Sequence, residues 1–178
     1  MSCITTYRGI RMDPLDASPD QIDEGDIAHA LSLLCRANGH FPHFFSVAQH
    51  SLNCMKEASA RGYSKRVQLG CLLHDASEAY LSDITRPIKP HLTGYYEIEA
   101  KLQGQIFEKW ITPALTEEER RQVFEIDDDM LYHEFFNLTG FKVYETAPTL
   151  RSTPKLSFVD FKKVEDDFLI HFYMLTQE

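Results

Sequence analysis

Between Ser64 and Leu81 the sequence runs SKRVQLGCLLHDASEAYL, with Val67, Leu69, Cys71, Leu72, Leu73, Ala76, Ala79 and Leu81 spread around nearly the whole helical circumference. A helix that is hydrophobic on every side is buried on every side. The segment therefore predicts a central helix, which the rest of the chain must surround. With 178 residues, 43% of them hydrophobic, the chain is long enough to do this as one domain. The other periodic segments are helical too. Asp26–Arg36 places Ile27, Ala30, Leu31 and Leu34 on one face, with a stop at Asn38-Gly39. Ser46–Arg61 opens with Ser46-x-x-Gln49, a capping-box pattern, and ends at Gly62. Tyr95–Trp110 repeats Ile98, Leu102, Ile106 and Trp110, and Thr116-x-x-Glu119 launches a helix to about Leu138. Ser157–Leu175 closes the chain as an amphipathic helix. Cys3–Met12 alternates loosely enough for a short hairpin, Met12–Asp23 reads as an approach loop, and Thr139–Lys155 as an irregular loop with room for a short hairpin. The predicted class is mostly α: a compact single-domain helical bundle over residues 1–178, with at most a short N-terminal hairpin and minor strands.

Charge and cysteine usage narrow the functional classes. Lysines and arginines number 18 against 27 acids, a formal charge of −9. That balance opposes a surface built for nucleic-acid polymers, but leaves small phosphorylated ligands open. No stretch approaches the roughly 18 uninterrupted apolar residues of a membrane span, and Met1–Asp20 lacks the apolar core of a signal peptide. Cys3, Cys35, Cys54 and Cys71 form no CxxC pair. The last three lie in apolar helical patterns, so they read as buried free thiols of a cytoplasmic protein.

Chemistry is signalled where polar groups stand in place of apolar ones. On the predicted central helix, His74, Asp75 and Glu78 fall within roughly a 100° arc at the helical spacing. Buried carboxylates cost several kcal/mol each unless paired or bound to metal. Gly70 and Cys71 flank the arc and leave room for a group to approach. Taken alone, the arc also fits a solvent-reaching face or an Asp75–His74 pair. In the helix after Thr116, Asp127 and Glu134 lie within the stripe of Val123, Ile126, Met130 and Leu131, while Asp128 and Asp129 point away. His50 sits at the edge of the apolar face of the Ser46 helix. Together, His50, His74, Asp75 and Asp127 give two imidazoles and two carboxylates from three helices. This nitrogen–oxygen set suits one six-coordinate divalent cation, which would offset the burial of the acids and acidify a bound water. Glu78, one turn beyond His74, is placed to orient or deprotonate that water, and Asp83 to protonate a leaving oxygen.

The string His74-Asp75-Ala76-Ser77-Glu78-Ala79-Tyr80-Leu81-Ser82-Asp83, with Ala48-Gln49-His50-Ser51 upstream and Asp127 downstream, resembles the HD-domain metal-dependent phosphohydrolases. Within them it is similar to the bacterial 5'-deoxynucleotidases and the small phage-type deoxynucleoside triphosphohydrolases. The resemblance covers roughly residues 22–138, with a C-terminal helix about 157–175 outside it. It implies His50, His74, Asp75 and Asp127 as ligands of one divalent cation (Mn²⁺, Co²⁺, Zn²⁺, Fe²⁺ or Mg²⁺) and Glu78 and Asp83 as catalytic acids. It also implies a homo-oligomer, dimer or hexamer. Arg36, 14 residues before His50, and Lys89, 15 after His74, are candidates to neutralise substrate phosphate, with Arg86 behind them. One departure stands out: the deoxynucleotidase branch has a sugar-shaping tryptophan after the arginine, where this chain has Ala37.

The resulting expectation is a phosphomonoesterase acting on nucleoside 5'-monophosphates. The same site would serve a deoxynucleoside triphosphate triphosphohydrolase. A non-catalytic nucleotide-binding module is the alternative of a different class, and it predicts substitutions among the ligands or at Glu78. All six matched residues are present.

Overall fold

Side-chain caps set the helix starts. In the computed structural model, which describes residues 3–177, Ser46 accepts from the Gln49 amide, Ser64 from Val67, and Asp160 from Lys162. Thr116 and Glu119 complete a reciprocal capping box. These caps open helices α2 (Val47–Ala60), α3 (Lys65–Leu73), α7 (Phe161–Thr176) and α6 (Glu117–Thr139). At Ser46 only half of the predicted box forms, because the Gln49 side-chain amide donates instead to the carbonyls of Lys155 and Ser157. Helices α1 (Glu24–Leu33), α4 (Glu78–Leu81) and α5 (Tyr95–Trp110) complete a mostly α fold. Strands β1 (Ile4–Thr5) and β2 (Arg11–Met12) pair antiparallel as the N-terminal hairpin, Ile4 opposite Met12.

Helix α3 is central, packing against α2, α6 and α7, while α1 packs on α7 and α2. Its Leu69, Leu72 and Leu73 join Leu31, Leu52, Ile106, Ile126 and Phe168 in one core. Among the described residues no helix is long and apolar enough to cross a membrane.

Four sequence expectations are corrected. First, Ser64–Leu81 is not one helix. After Leu73 the amides of Ala76 and Glu78 bond back three residues, to Leu73 and Asp75, before α4 begins. The tightened turn at His74–Ser77 is where His74 and Asp75 leave the helical wheel. Second, α1 stops at Leu33 because the next residues pair with the chain entering α2: the Arg36 amide bonds to Phe45 and Val47 to Leu34. Cys35 therefore lies in an isolated bridge with Ser46 and is half-exposed, whereas Cys54 and Cys71 are buried; all four thiols are free. Third, Gly70 makes room for a helix and not for a ligand, since a Cβ there would meet Val123 at 3.0 Å and Leu115 at 3.2 Å. Fourth, residues 141–160 contain no strand, and α7 starts at Phe161.

Candidate metal centre

Three parts of the fold converge beneath α6. His50 projects from the first turn of α2, His74 and Asp75 from the turn after α3, and Asp127 from the middle of α6. His50 Nε2 lies 3.2 Å from His74 Nε2 and 3.1 Å from Asp127 Oδ1. His74 Nε2 stands 3.3 Å from Asp75 Oδ2 and 3.6 Å from Asp127 Oδ1, and His50 Nε2 is 3.9 Å from Asp75 Oδ2. Atoms that share one cation at about 2.0–2.2 Å stand about 3–3.5 Å apart, so the spacing suits a ligand set already gathered.

The other imidazole nitrogens explain why both Nε2 atoms face inward. His50 Nδ1 donates to Glu134 Oε1 at 2.7 Å, and His74 Nδ1 donates to the Cys71 carbonyl at 2.8 Å. With Nδ1–H spent on an acceptor, the neutral ring offers its Nε2 lone pair to the centre. Two lone pairs meeting at 3.2 Å repel unless a proton or a cation lies between them. Burial opposes protonation of His74, yet Asp75 and Asp127 outweigh it and hold the imidazole well above its ordinary range. At His50, burial and Arg36 oppose protonation, and Glu134 with Asp127 outweighs them. Burial pushes Asp75 and Asp127 upward, but the imidazoles prevail and both carboxyls are held low. Protons thus balance the centre where a divalent cation would displace them, which is the usual linkage between metal binding and proton release. The residues fit such an ion.

Cys54 also falls within ligand reach of His50 and His74. Its Sγ is 3.5 Å from Nε2 and 3.8 Å from Nδ1 of His50. Near-equal distances put the sulfur over the ring face, off the Nε2 lone pair, and burial pushes the thiol well up. Cys54 packs against the His50 ring and stays within reach of the same centre.

The flanking charges divide into two kinds. Arg36 is buried, with Nε on Glu134 Oε2 at 2.8 Å and its terminal nitrogens 3.5 Å from Asp75 and 3.7 Å from Asp127. Left-handed backbone at Ala37 and Asn38 (φ 53° and 49°) turns the chain there, and the Ala37 amide donates to Asp83 at 3.3 Å. Lys89 bonds to Glu99 at 2.7 Å and lies 3.6 Å from Glu78. Arg86, which the sequence ranks below Arg36 and Lys89, sits 2.8 Å from the outer oxygen of Asp127 and 2.5 Å from Asp128. Asp129 bonds to Arg61 at 2.7 Å, so of the three consecutive aspartates only Asp127 faces the imidazoles. Glu78 is buried with Oε2 lacking any partner. Burial, then Asp75 and Asp83, push its carboxyl well up against Lys89 and Arg36. Burial also raises Asp83, opposed by Arg36.

The four predicted catalytic and phosphate-binding residues (Glu78, Asp83, Arg36 and Lys89), together with Asp75 and Asp127, line one cavity of about 530 Å³, and Leu131, Phe135 and Tyr144 form its apolar wall. That volume suits a small ligand. A second cavity, of about 360 Å³ between α5 and α6, reaches His74, Asp75 and Asp127 from the other side. The sequence reading assigned no role to Glu134. Its inward position on α6 was legible, but nothing in the pattern names His50 and Arg36 as its partners.

No family model matches the chain. It is similar to the uncharacterized protein YfdR of Escherichia coli K12, with 38% identity over 115 residues, 65% of this chain and 62% of the relative. It is also similar to an uncharacterized protein of Rhodobacter capsulatus, with 38% identity over 113 residues, 60% of this chain and 57% of the relative. The matched stretch spans about three-fifths of the length of each relative.

Proposed function

We propose that this chain is an HD-domain-type metal-dependent phosphohydrolase that removes phosphate from nucleoside 5'-monophosphates. The observation that carries the reading is the pair of inward Nε2 atoms, each imidazole anchored through Nδ1, facing the oxygens of Asp75 and Asp127. His50, His74, Asp75 and Asp127 would hold one divalent cation. Such an ion supplies Lewis acidity toward a phosphoryl oxygen and lowers the pKa of water. Arg36 stabilises charge on the non-bridging oxygens from the cavity floor, with Lys89 and Arg86 as further cations at its wall. Glu78, with one unpartnered oxygen at the cavity, orients the attacking water, or takes its proton once a bound cation's charge has drawn the carboxyl down. Asp83 gives one to the leaving 5'-oxygen. Leu131, Phe135 and Tyr144 provide the apolar surface against which a sugar and base can lie. In this reading the protein works in the cytoplasm as a homo-oligomer, dimer or hexamer.

The test is a panel of nucleoside mono- and triphosphates incubated with purified protein and Mn²⁺, Co²⁺ or Mg²⁺. Orthophosphate from monophosphates, abolished by a chelator and restored by metal, is the expected result. Release of triphosphate from deoxynucleoside triphosphates would redirect the assignment to a triphosphohydrolase. Release of neither would overturn both in favour of a non-catalytic module.

A further inference from the structure

We infer that Glu134 is a positioning residue that sets the ligand face of His50 and the phosphate-facing pose of Arg36 through a single carboxylate. The inference rests on the proposed metal-dependent reading and extends it to a residue outside the ligand and acid set. Glu134 is fully buried on α6, two turns beyond Asp127, and its two oxygens serve different partners. Oε1 accepts from His50 Nδ1 at 2.7 Å, and Oε2 accepts from Arg36 Nε at 2.8 Å. A buried carboxylate is costly unless both oxygens are matched, and here both are matched by groups that face the candidate centre.

The chemistry of each bond fixes a different variable. An acceptor at Nδ1 keeps the proton there, so Nε2 is the nitrogen left for a cation. The bond to Nε immobilises the guanidinium near its root and leaves its two terminal nitrogens directed toward Asp75 and Asp127. Only a carboxylate can do both. A glutamine in its place presents one oxygen and one NH₂. If the oxygen faces His50, the NH₂ meets the Arg36 Nε–H, donor against donor. If it faces Arg36, the NH₂ donates to His50 Nδ1, which moves the ring proton to Nε2 and blocks the cation. Either orientation breaks one half of the arrangement without changing side-chain volume.

The experiment compares wild type, E134Q and E134D, with E57Q as a control that removes a different buried carboxylate. Zn²⁺ and Mn²⁺ affinities are measured by calorimetry. The Zn²⁺-treated proteins, labelled with ¹⁵N-histidine, are examined by NMR for the His50 ring proton. The wild type is expected to show Nδ1 protonated, with its proton shifted downfield by the carboxylate. E134Q is expected to show one of two losses: with its NH₂ on His50, that proton signal and about 10–100-fold in metal affinity; with its oxygen on His50, the Arg36 pose, read as a raised KM for the nucleoside 5'-monophosphate. E57Q should change neither the spectrum nor the affinity, even though it destabilises the fold. If E134Q keeps the wild-type affinity, the wild-type His50 signal and the wild-type KM, positioning by Glu134 is overturned and the hydrolase reading stands. If the wild type itself binds neither ion, the metal-dependent reading fails and the positioning role falls with it. An E134Q that does not fold shifts the decision to E134D, whose shortened carboxylate keeps the charge; unchanged metal affinity there overturns the inference.

Discussion

Helix α2 carries two buried polar regions, and they are built on opposite logic. Seven residues past His50 on the same helix, Glu57 is fully buried and amply satisfied. It accepts from the amides of Arg151 and Ser152, the Ser152 hydroxyl at 2.6 Å and Arg61 Nε at 2.7 Å. With Asn53 and Gln49, which bond to backbone at Lys155 and Ser157, it forms a ladder that pins residues 151–157 to the helix. At the His50 end the groups are matched only in part. One oxygen of Glu78 is orphaned, and the Nε2 atoms of His50 and His74 face each other at 3.2 Å beside Asp75 and Asp127. Fully satisfied buried networks rigidify a fold, whereas sites that bind or react keep groups unmatched until a ligand arrives. The Glu57 region is built as a clamp, and the His50 region, in the proposed reading, as a ligand site.

The contrast is broken most directly by removing a proposed ligand. D127N is expected to cost at least about 10³-fold in turnover, because it takes away an anionic ligand worth several kcal/mol of charge stabilisation. Metal binding by the variant should weaken in parallel. A turnover equal to wild type in D127N would show that the His50 region is not the reaction centre. The reciprocal change, E57Q, should destabilise the fold by about 3 kcal/mol, since it leaves several buried donors facing an amide instead of a carboxylate. Its kcat per folded molecule should equal the wild-type value. Steady-state kinetics per folded molecule separate the two variants if the two regions differ as described. E78Q sharpens the comparison within the site. It should lower kcat by about 10²-fold, the range of a single general acid–base group, with little change in unfolding midpoint because Oε2 has no partner to lose.

How far the sequence could anticipate the two regions follows from the same difference. The His50 region was legible because ligands must be particular residue types. A His-Asp pair inside an apolar run, an earlier histidine and one inward aspartate of three are an anomaly against a 3.6-residue period, and the structure brings all four together. The helices were legible from caps and stripes: α5 matches its predicted bounds, and α6 starts at its capping threonine. The break after Leu73 was not, because tight turns that bond back three residues retain nearly the same apolar order as a helix. The clamp was invisible for another reason. Gln49, Asn53 and Glu57 recur every four residues, as a solvated helix face would, and what buries them is irregular backbone whose carbonyls and amides leave no mark on the sequence. Arg86 was undervalued on similar grounds, since only the turn through Thr85–Lys89 places it on Asp127.

The smallest effect expected is a pH dependence that belongs to the clamp alone. Burial raises the Glu57 carboxyl, but hydrogen bonds from Ser152, Arg151 and Arg61 outweigh it and set the group below its ordinary value of 4.5. A carboxyl depressed in the folded state stabilises the fold above its unfolded pKa, and that contribution is lost as pH falls through the folded value. The wild-type advantage over E57Q should therefore be constant from neutrality down to about pH 5. Below 4.5 it should shrink steadily as the unfolded chain, and then the clamp, takes up the proton. Other acids titrate in the same range, so the absolute stability curve does not isolate Glu57. The difference between the two proteins does, provided that both are unfolded in urea at each pH. A difference that grows toward low pH would mean Glu57 is protonated in the fold. It would then be no clamp but a buried acid of the same unmatched kind as Glu78.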